Sequence, residues 1–175
     1  MMLRLLLLRH AKSSWAESGL DDRQRPLNKR GKEAAPVVGR HLRRMKWSPD
    51  LVICSPAERT RRTLDLVLDA AGIAPDVIYD EAVYDFGDGS SLLDVIRARG
   101  GTARTLMIVG HNPSMEFLAI RLARTGPPDA IAEIRRKFPT AALAVFDVDA
   151  PSWAAFDTAA CTLTAFVRPR ALGGD

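Results

Sequence analysis

The sequence predicts an α/β fold, a single domain built on a mostly parallel sheet with helices on both faces. Apolar runs of strand length alternate with amphipathic helical stretches along most of the chain. The first run, Leu3 to Leu8, is apolar apart from Arg4, as a strand covered on both faces has to be. No internal repeat, low-complexity tract or linker interrupts the 175 residues, so the whole of 1–175 reads as one domain.

The elements follow in order. After the strand Leu3 to Leu8, Arg9 and His10 stand at its end, and a polar loop runs from Ala11 to Leu27. Asn28 is placed to cap a helix whose inner face is read from the spacing of Ala34, Val38, Leu42 and Met45. Asp50 to Cys54 gives a second strand. Ser55-Pro56-Ala57-Glu58 then reads as a capping box, with serine as cap and proline at the first helical position, for a helix reaching about Ala71. Ala74 to Tyr79 is the third strand, and Gly87 to Ser91 supply a turn before a helix carrying Leu92, Leu93, Val95 and Ile96. A fourth strand, Thr105 to Val109, leads into Gly110-His111-Asn112-Pro113, with Asn112 as cap and Pro113 opening a buried helix to Leu122. Beyond Pro127-Pro128, a short helix over Ala130 to Lys137 precedes two strand-like runs, Ala142 to Val148 and Cys161 to Val167, expected as a hairpin or an edge pair.

Composition excludes several classes. The longest apolar run near the start is too short to cross a membrane and lacks a signal-peptide layout, so no membrane association is expected and the location reads as cytoplasmic. Cys54 and Cys161 lie far apart inside apolar runs, without metal-site spacing, and read as reduced core residues. Much of the net charge of +4 comes from Lys29, Arg30, Lys32, Arg40, Arg43, Arg44 and Lys46. No aromatics interleave with them, so they read as a solvated helix face and no nucleic-acid partner is expected. His41 falls on the apolar stripe of the same helix and reads as a packed structural histidine.

Chemistry concentrates at the strand ends. His10, Arg59 and His111 each fall at or just after the C-terminal end of a strand, the rim where open α/β sheets bind ligands. Arg59 lies in the first turn of its helix and His111 just before another, where free N–H groups and the helix dipole favour anions. Guanidinium forks match phosphate oxygens, and a neutral imidazole is a nucleophile at ordinary pH. In-line displacement at phosphorus needs positioning and charge stabilisation, which Arg9, Arg59 and His111 supply around His10, so no metal or cofactor is called for. Lys12 and Arg25, in or beside the loop after the first strand, are further candidates for contacting phosphate or substrate. Trp15, in the same loop, is either an exposed contact for a partner or a lid over the core.

Arg9-His10, Ser55-Pro56-Ala57-Glu58-Arg59 and Gly110-His111, in this order and each after a strand, resemble the histidine phosphatase superfamily with its phosphoglycerate mutase-like fold. More narrowly, Arg9-His10-Ala11-Lys12-Ser13-Ser14-Trp15, Arg25-Pro26-Leu27 with Gly31, and Gly110-His111-Asn112-Pro113 are similar to the bacterial phosphohistidine phosphatases of the SixA type. The similarity spans about Leu3 to Leu122, and more weakly Phe138-Pro139-Thr140. It implies that His10 is the phosphorylated nucleophile, that Arg9 and Arg59 bind phosphoryl oxygens, and that His111 stabilises charge opposite them.

An ester substrate releases an alkoxide and gains from a carboxylic acid that protonates it. In ester-cleaving relatives an acid follows the third strand or lies nearby, where Glu81 and Asp85 are the candidates; neither sits in a firm motif. A phosphohistidine leaves as an imidazole that takes its proton near neutral pH, so a dedicated acid is less necessary. The expected substrate is therefore phosphohistidine on a protein. The alternatives are a phosphatase of small phosphate esters and, in another class, a catalytically weak module that binds phosphorylated proteins. The partner is thus a phosphorylated protein or a small phosphorylated substrate, and the sequence leaves the oligomeric state open.

Overall fold

The computed structural model describes residues 2–173. Its sheet has six strands, β1 (Met2–Arg9), β2 (Leu51–Cys54), β3 (Asp76–Tyr79), β4 (Thr105–Gly110), β5 (Leu143–Asp149) and β6 (Cys161–Val167), in the order β3-β2-β4-β1-β5-β6. The first four are mutually parallel, while β5 runs antiparallel to β1 and β6 antiparallel to β5. The two C-terminal runs therefore extend the same sheet as its edge pair.

The leucine run of β1 explains the layering. Side chains alternate across a strand, so Leu3, Leu5 and Leu7 enter one core and Leu6 and Leu8 the other. The first core is closed by α3 (Ser90–Arg99), α4 (Ser114–Leu122) and α5 (Pro128–Arg136), through Leu92, Leu118 and Ile134. The second is closed by α1 (Lys29–Met45) and α2 (Glu58–Ala71), through Val38, Leu42, Leu64 and Val67. Leu5 to Leu8 are fully buried, and each such side chain contributes roughly 1.5–3 kcal/mol relative to exposure.

Four local readings are revised. On α1 the buried residues are Gly31, Ala35, Val38, Gly39 and Leu42, while Ala34 is half-buried and Met45 is exposed. The cause is Gly39, where a Cβ would lie 2.3 Å from the Val67 carbonyl, so the α1 and α2 backbones meet there and turn Ala35 inward. Helix α2 begins at Glu58 and has no side-chain cap, because the Ser55 hydroxyl is engaged elsewhere. Asn112 does not cap α4: its side-chain amide donates to the Phe138 carbonyl, and the Ser114 hydroxyl bonds to the carbonyls of His111 and Asp85. α4 is buried through Met115, Leu118, Ala119 and Leu122, yet Phe117 stands half exposed.

The Asn28 and cysteine readings hold. The Asn28 side chain accepts from the Gly31 N–H at 2.9 Å and caps α1. Cys54 and Cys161 are free and buried, and burial pushes both thiols up to about 12. His41 is half-buried, edge-on to Trp47 at 5.6 Å and bonded to Arg44 at 2.8 Å. Among the described residues no helix is long and apolar enough to cross a membrane.

Candidate active site

Strand register assembles the site. β1 and β4 are parallel neighbours with Arg9 opposite Gly110, so His10 and His111 leave the sheet side by side. The His10 N–H bonds the Gly110 carbonyl at 3.1 Å, and the two imidazoles lie 5.3 Å apart between centroids. On the other side of β4, Cys54 is opposite Val109, which carries Ser55 to the same rim. Its hydroxyl lies 2.7 Å from His111 Nε2. Arg59 follows in the first turn of α2, and Thr63 one turn later donates to the Arg59 carbonyl at 2.6 Å while accepting from the Ala11 N–H at 2.9 Å. Thr63 thereby ties the start of α2 to the end of β1. Gly31 brings α1 against the same loop, since a Cβ there would lie 2.2 Å from the Lys12 carbonyl.

His10 presents a free ring lone pair at the rim. Its Nδ1 lies 2.7 Å from the Ala11 carbonyl, which can only accept, so Nδ1 carries the proton and Nε2 the lone pair. Burial pushes its pKa down to about 3; the bond to Ala11 opposes this, and the charges of Arg9, Arg59 and Arg25 add to it. The ring stays neutral well below the usual histidine range.

His111 is oriented by Ser55 and two aromatic rings. The Ser55 hydroxyl oxygen accepts from the Ala57 N–H at 3.3 Å, and its own proton has His111 Nε2 as acceptor. His111 Nε2 is the one acceptor that proton has among the described residues, so the ring proton is assigned to Nδ1. Tyr84 stands edge-on to the ring at 5.3 Å and Phe86 packs on it at 5.0 Å. Burial, then His10 and Arg59, lower its pKa to about 2, with Asp22 opposing and Arg9 adding a smaller push.

The arginines are oriented by neighbours. Arg59, 2% exposed, donates from Nη1 to the Asp22 carbonyl at 2.7 Å and from Nη2 to the Asp22 carboxylate at 2.9 Å. Two of its five N–H donors are so engaged. Arg9 donates to the Phe138 carbonyl at 3.0 Å. Arg25, also buried, bonds Asp22 at 3.2 Å and Ser13 at 3.1 Å, and stacks 3.4 Å above the exposed ring of Trp15. Among the described residues, Arg9 Nε, Arg25 Nη1, Arg59 Nε and His111 Nδ1 are buried nitrogens without a hydrogen-bond partner. Each such donor costs roughly 1–3 kcal/mol when left unpaired. A phosphoryl group, with three charged oxygens, is the ligand such a set can hold.

Arg9, His10, Arg59, Lys12 and Arg25 line one pocket of about 270 Å³, with His111 packed against His10. Glu81 is not brought there. It is exposed and paired with Arg23 at 2.6 Å, and the bond to that guanidinium lowers its pKa, the opposite of what a general acid needs. Asp85 is absent from the lining too, its carboxylate accepting from the Gly87 N–H at 3.3 Å. The carboxylate that does line the pocket, Asp22, went unread in the sequence. Burial raises its pKa, but the Tyr84 hydroxyl and Arg59, with a further push from Arg25, outweigh this and hold it at about 2. An aspartate followed by Arg23 and Arg25 in the site loop was the available signal. Nothing in the spacing of Tyr84 or Phe86 pointed to His111.

Known proteins share the sequence pattern and the fold. The profile of the histidine phosphatase superfamily (branch 1) matches residues 5–90. An uncharacterized protein of Mycobacterium tuberculosis is 38% identical over 93% of this chain and 100% of its own length. The structure provisionally named phosphohistidine phosphatase SixA from Nakamurella multipartitia superposes with a TM-score of 0.81 at 31% identity, over 97% of each chain. Its counterpart of the same provisional name from Agrobacterium tumefaciens gives 0.79 at 30% identity, over 95% of this chain and 98% of that one. With its phosphoglycerate mutase-like sheet and its paired strand-end histidines, the chain belongs to the histidine phosphatase superfamily, in the SixA type.

Proposed function

We propose that this phosphatase hydrolyses phosphohistidine on another protein, with 1–175 acting as one histidine phosphatase domain. The observation that carries the reading is the absence, among the described residues lining the pocket, of a carboxyl group fit to act as an acid. Asp22 is held ionised by Tyr84 and Arg59, and Glu81 is turned to Arg23. Such a pocket serves a leaving group that takes its own proton, as an imidazole does near pH 7, better than an alkoxide.

In the first step the lone pair of His10 Nε2 forms a bond to phosphorus while the substrate's N–P bond breaks. The bonding pair returns to the substrate imidazole, which leaves neutral once its ring carries one proton. Arg9, Arg59 and the Nδ1–H of His111 hold the phosphoryl oxygens, with Arg25 and Lys12 in support. Water then attacks phospho-His10, the new N–P bond breaks, and phosphate departs with His10 neutral again. A cytoplasmic location belongs to the same reading, supported by the two buried free thiols.

The test is turnover of a phosphohistidine peptide against a panel of sugar and nucleotide phosphates. Higher kcat/KM on the peptide is expected, with phosphate trapped on His10 after acid-free quenching. A clear preference for the esters overturns the substrate assignment, and tight binding of the peptide without turnover would make the protein a binding module.

A further inference from the structure

Past Arg9 and Lys12, which line both, the His10 pocket adjoins a larger cleft of about 560 Å³. Its other cations come from separate parts of the chain, with Arg30 on α1, Lys137 after α5, and Arg168 and Arg170 after β6. Six arginine and lysine side chains line this cleft and, among the described residues, no Asp or Glu does. Arg168 is paired with Glu133 at 2.8 Å. Among the described residues, Arg30, Lys137 and Arg170 form no ion pair, and all three are exposed.

Bringing like charges from distant segments to one opening raises the energy of the fold. An anionic partner reverses that cost. Its kind follows from how the cations are held. Pockets for small ligands hold a few polar groups in fixed positions; here Lys12, Arg30, Lys137 and Arg170 sit exposed at the ends of long stems. That pattern suits electrostatic recognition of a macromolecule, where rim charges steer encounter and set orientation.

We propose that this cleft is a docking groove for an acidic segment of the phosphorylated protein, so that the substrate carries Asp or Glu within a few residues of its phosphorylated side chain. The inference rests on reading the His10 pocket as acting on a phosphoprotein. Sharing Arg9 and Lys12 places the groove directly beside the reacting group.

The experiment uses two phosphohistidine peptides that differ only in flanking residues, Asp and Glu in one and Asn and Gln in the other. A matching pair carries phosphotyrosine. The native protein is compared with an Arg30→Gln, Lys137→Gln, Arg170→Gln variant, none of whose changes touches the His10 pocket. The acidic peptide is expected to show kcat/KM about tenfold higher than its neutral twin, mainly through KM. The variant is expected to lose this advantage while turning over the neutral peptide normally. If only the phosphotyrosine pair is hydrolysed, the phosphohistidine reading fails, and the groove is judged on that pair. Fluorescence anisotropy with the labelled, unphosphorylated acidic peptide gives a readout independent of turnover, with binding expected to the native protein and lost in the variant. Equal kcat/KM for the two twins in the native protein overturns the proposal. So does an acidic advantage that survives in the variant. Tripolyphosphate inhibition that the variant loses, without any peptide preference, would make the cleft a small-anion subsite instead.

Discussion

The His10 pocket and the cleft beside it are both rich in cations, but the cations are held differently. In the pocket, Arg59 and Arg25 are buried, and each is bonded to Asp22. In the cleft, Arg30, Lys137 and Arg170 stand exposed without ion pairs among the described residues. Fixed donors in a poorly solvated site stabilise charge as it redistributes in a transition state, at no cost of reorganisation. Exposed charges act at longer range, are screened by salt, and affect encounter more than chemistry. The lesson is that a positive charge acquires a role from its surroundings as much as from its type.

The sharpest way to break the comparison is at His10, the proposed nucleophile. His10→Ala is expected to abolish turnover and the trapped phosphoenzyme while leaving the fold intact by circular dichroism; residual normal activity would remove His10 from the mechanism. Next, the same substitution made in each region should separate them. Arg59→Ala is expected to lower kcat/KM on every substrate by about 10²–10³-fold, whereas Arg30→Ala should leave a small uncharged-leaving-group substrate within about twofold. Similar losses from both would erase the distinction.

Ser55→Ala probes a finer point. Without the hydroxyl donating to Nε2, His111 is free to take the other tautomer and present a lone pair, not a proton, to the phosphoryl oxygens. A fall in kcat of about tenfold with KM little changed is expected, as for loss of an interaction made mainly in the transition state. Ser55→Thr, which keeps the hydroxyl, should recover most of it.

The smallest effects concern acidity. kcat/KM reports ionisations of the free enzyme, and burial holds His10 at about 3. The acid side of the profile should therefore show no break near 6.5, where a solvated histidine would titrate. Stability should respond, however. Both site histidines have folded pKa values below the unfolded 6.5, so between about 6.5 and about 3 the unfolded chain binds more protons. Their contribution is complete above 6.5 and is lost as the pH falls through that window, which a lower denaturation midpoint at pH 5 than at pH 7 would register.

The parts of this site that the sequence disclosed are those a strand delivers. Arg9, His10 and His111 follow strand ends, and parallel register then leaves little freedom in where they go. Asp22 was hidden because its partners are fixed by tertiary packing, with Arg59 lying 37 positions away on another element. Glu81 stood only as a candidate for the related reason that nearness to a strand end says nothing about where a side chain turns, and it turned to Arg23. Ser55 was visible, but as a helix cap, since local pattern cannot weigh a hydroxyl's competing partner across the sheet. On α1 the hydrophobic spacing favoured Ala34 and Met45, and only the close approach at Gly39 reveals why Ala35 faces inward.

The stacking of Arg25 on Trp15 has an optical consequence. Trp47 and Trp153 are 6% and 1% exposed, whereas Trp15 is 77% exposed and shares its guanidinium neighbour with the pocket. An anion that draws Arg25 toward His10 alters the field and quenching at one indole only. The protein thus carries a built-in fluorophore for occupancy, and titration with vanadate should change its emission in step with inhibition, through Trp15 alone.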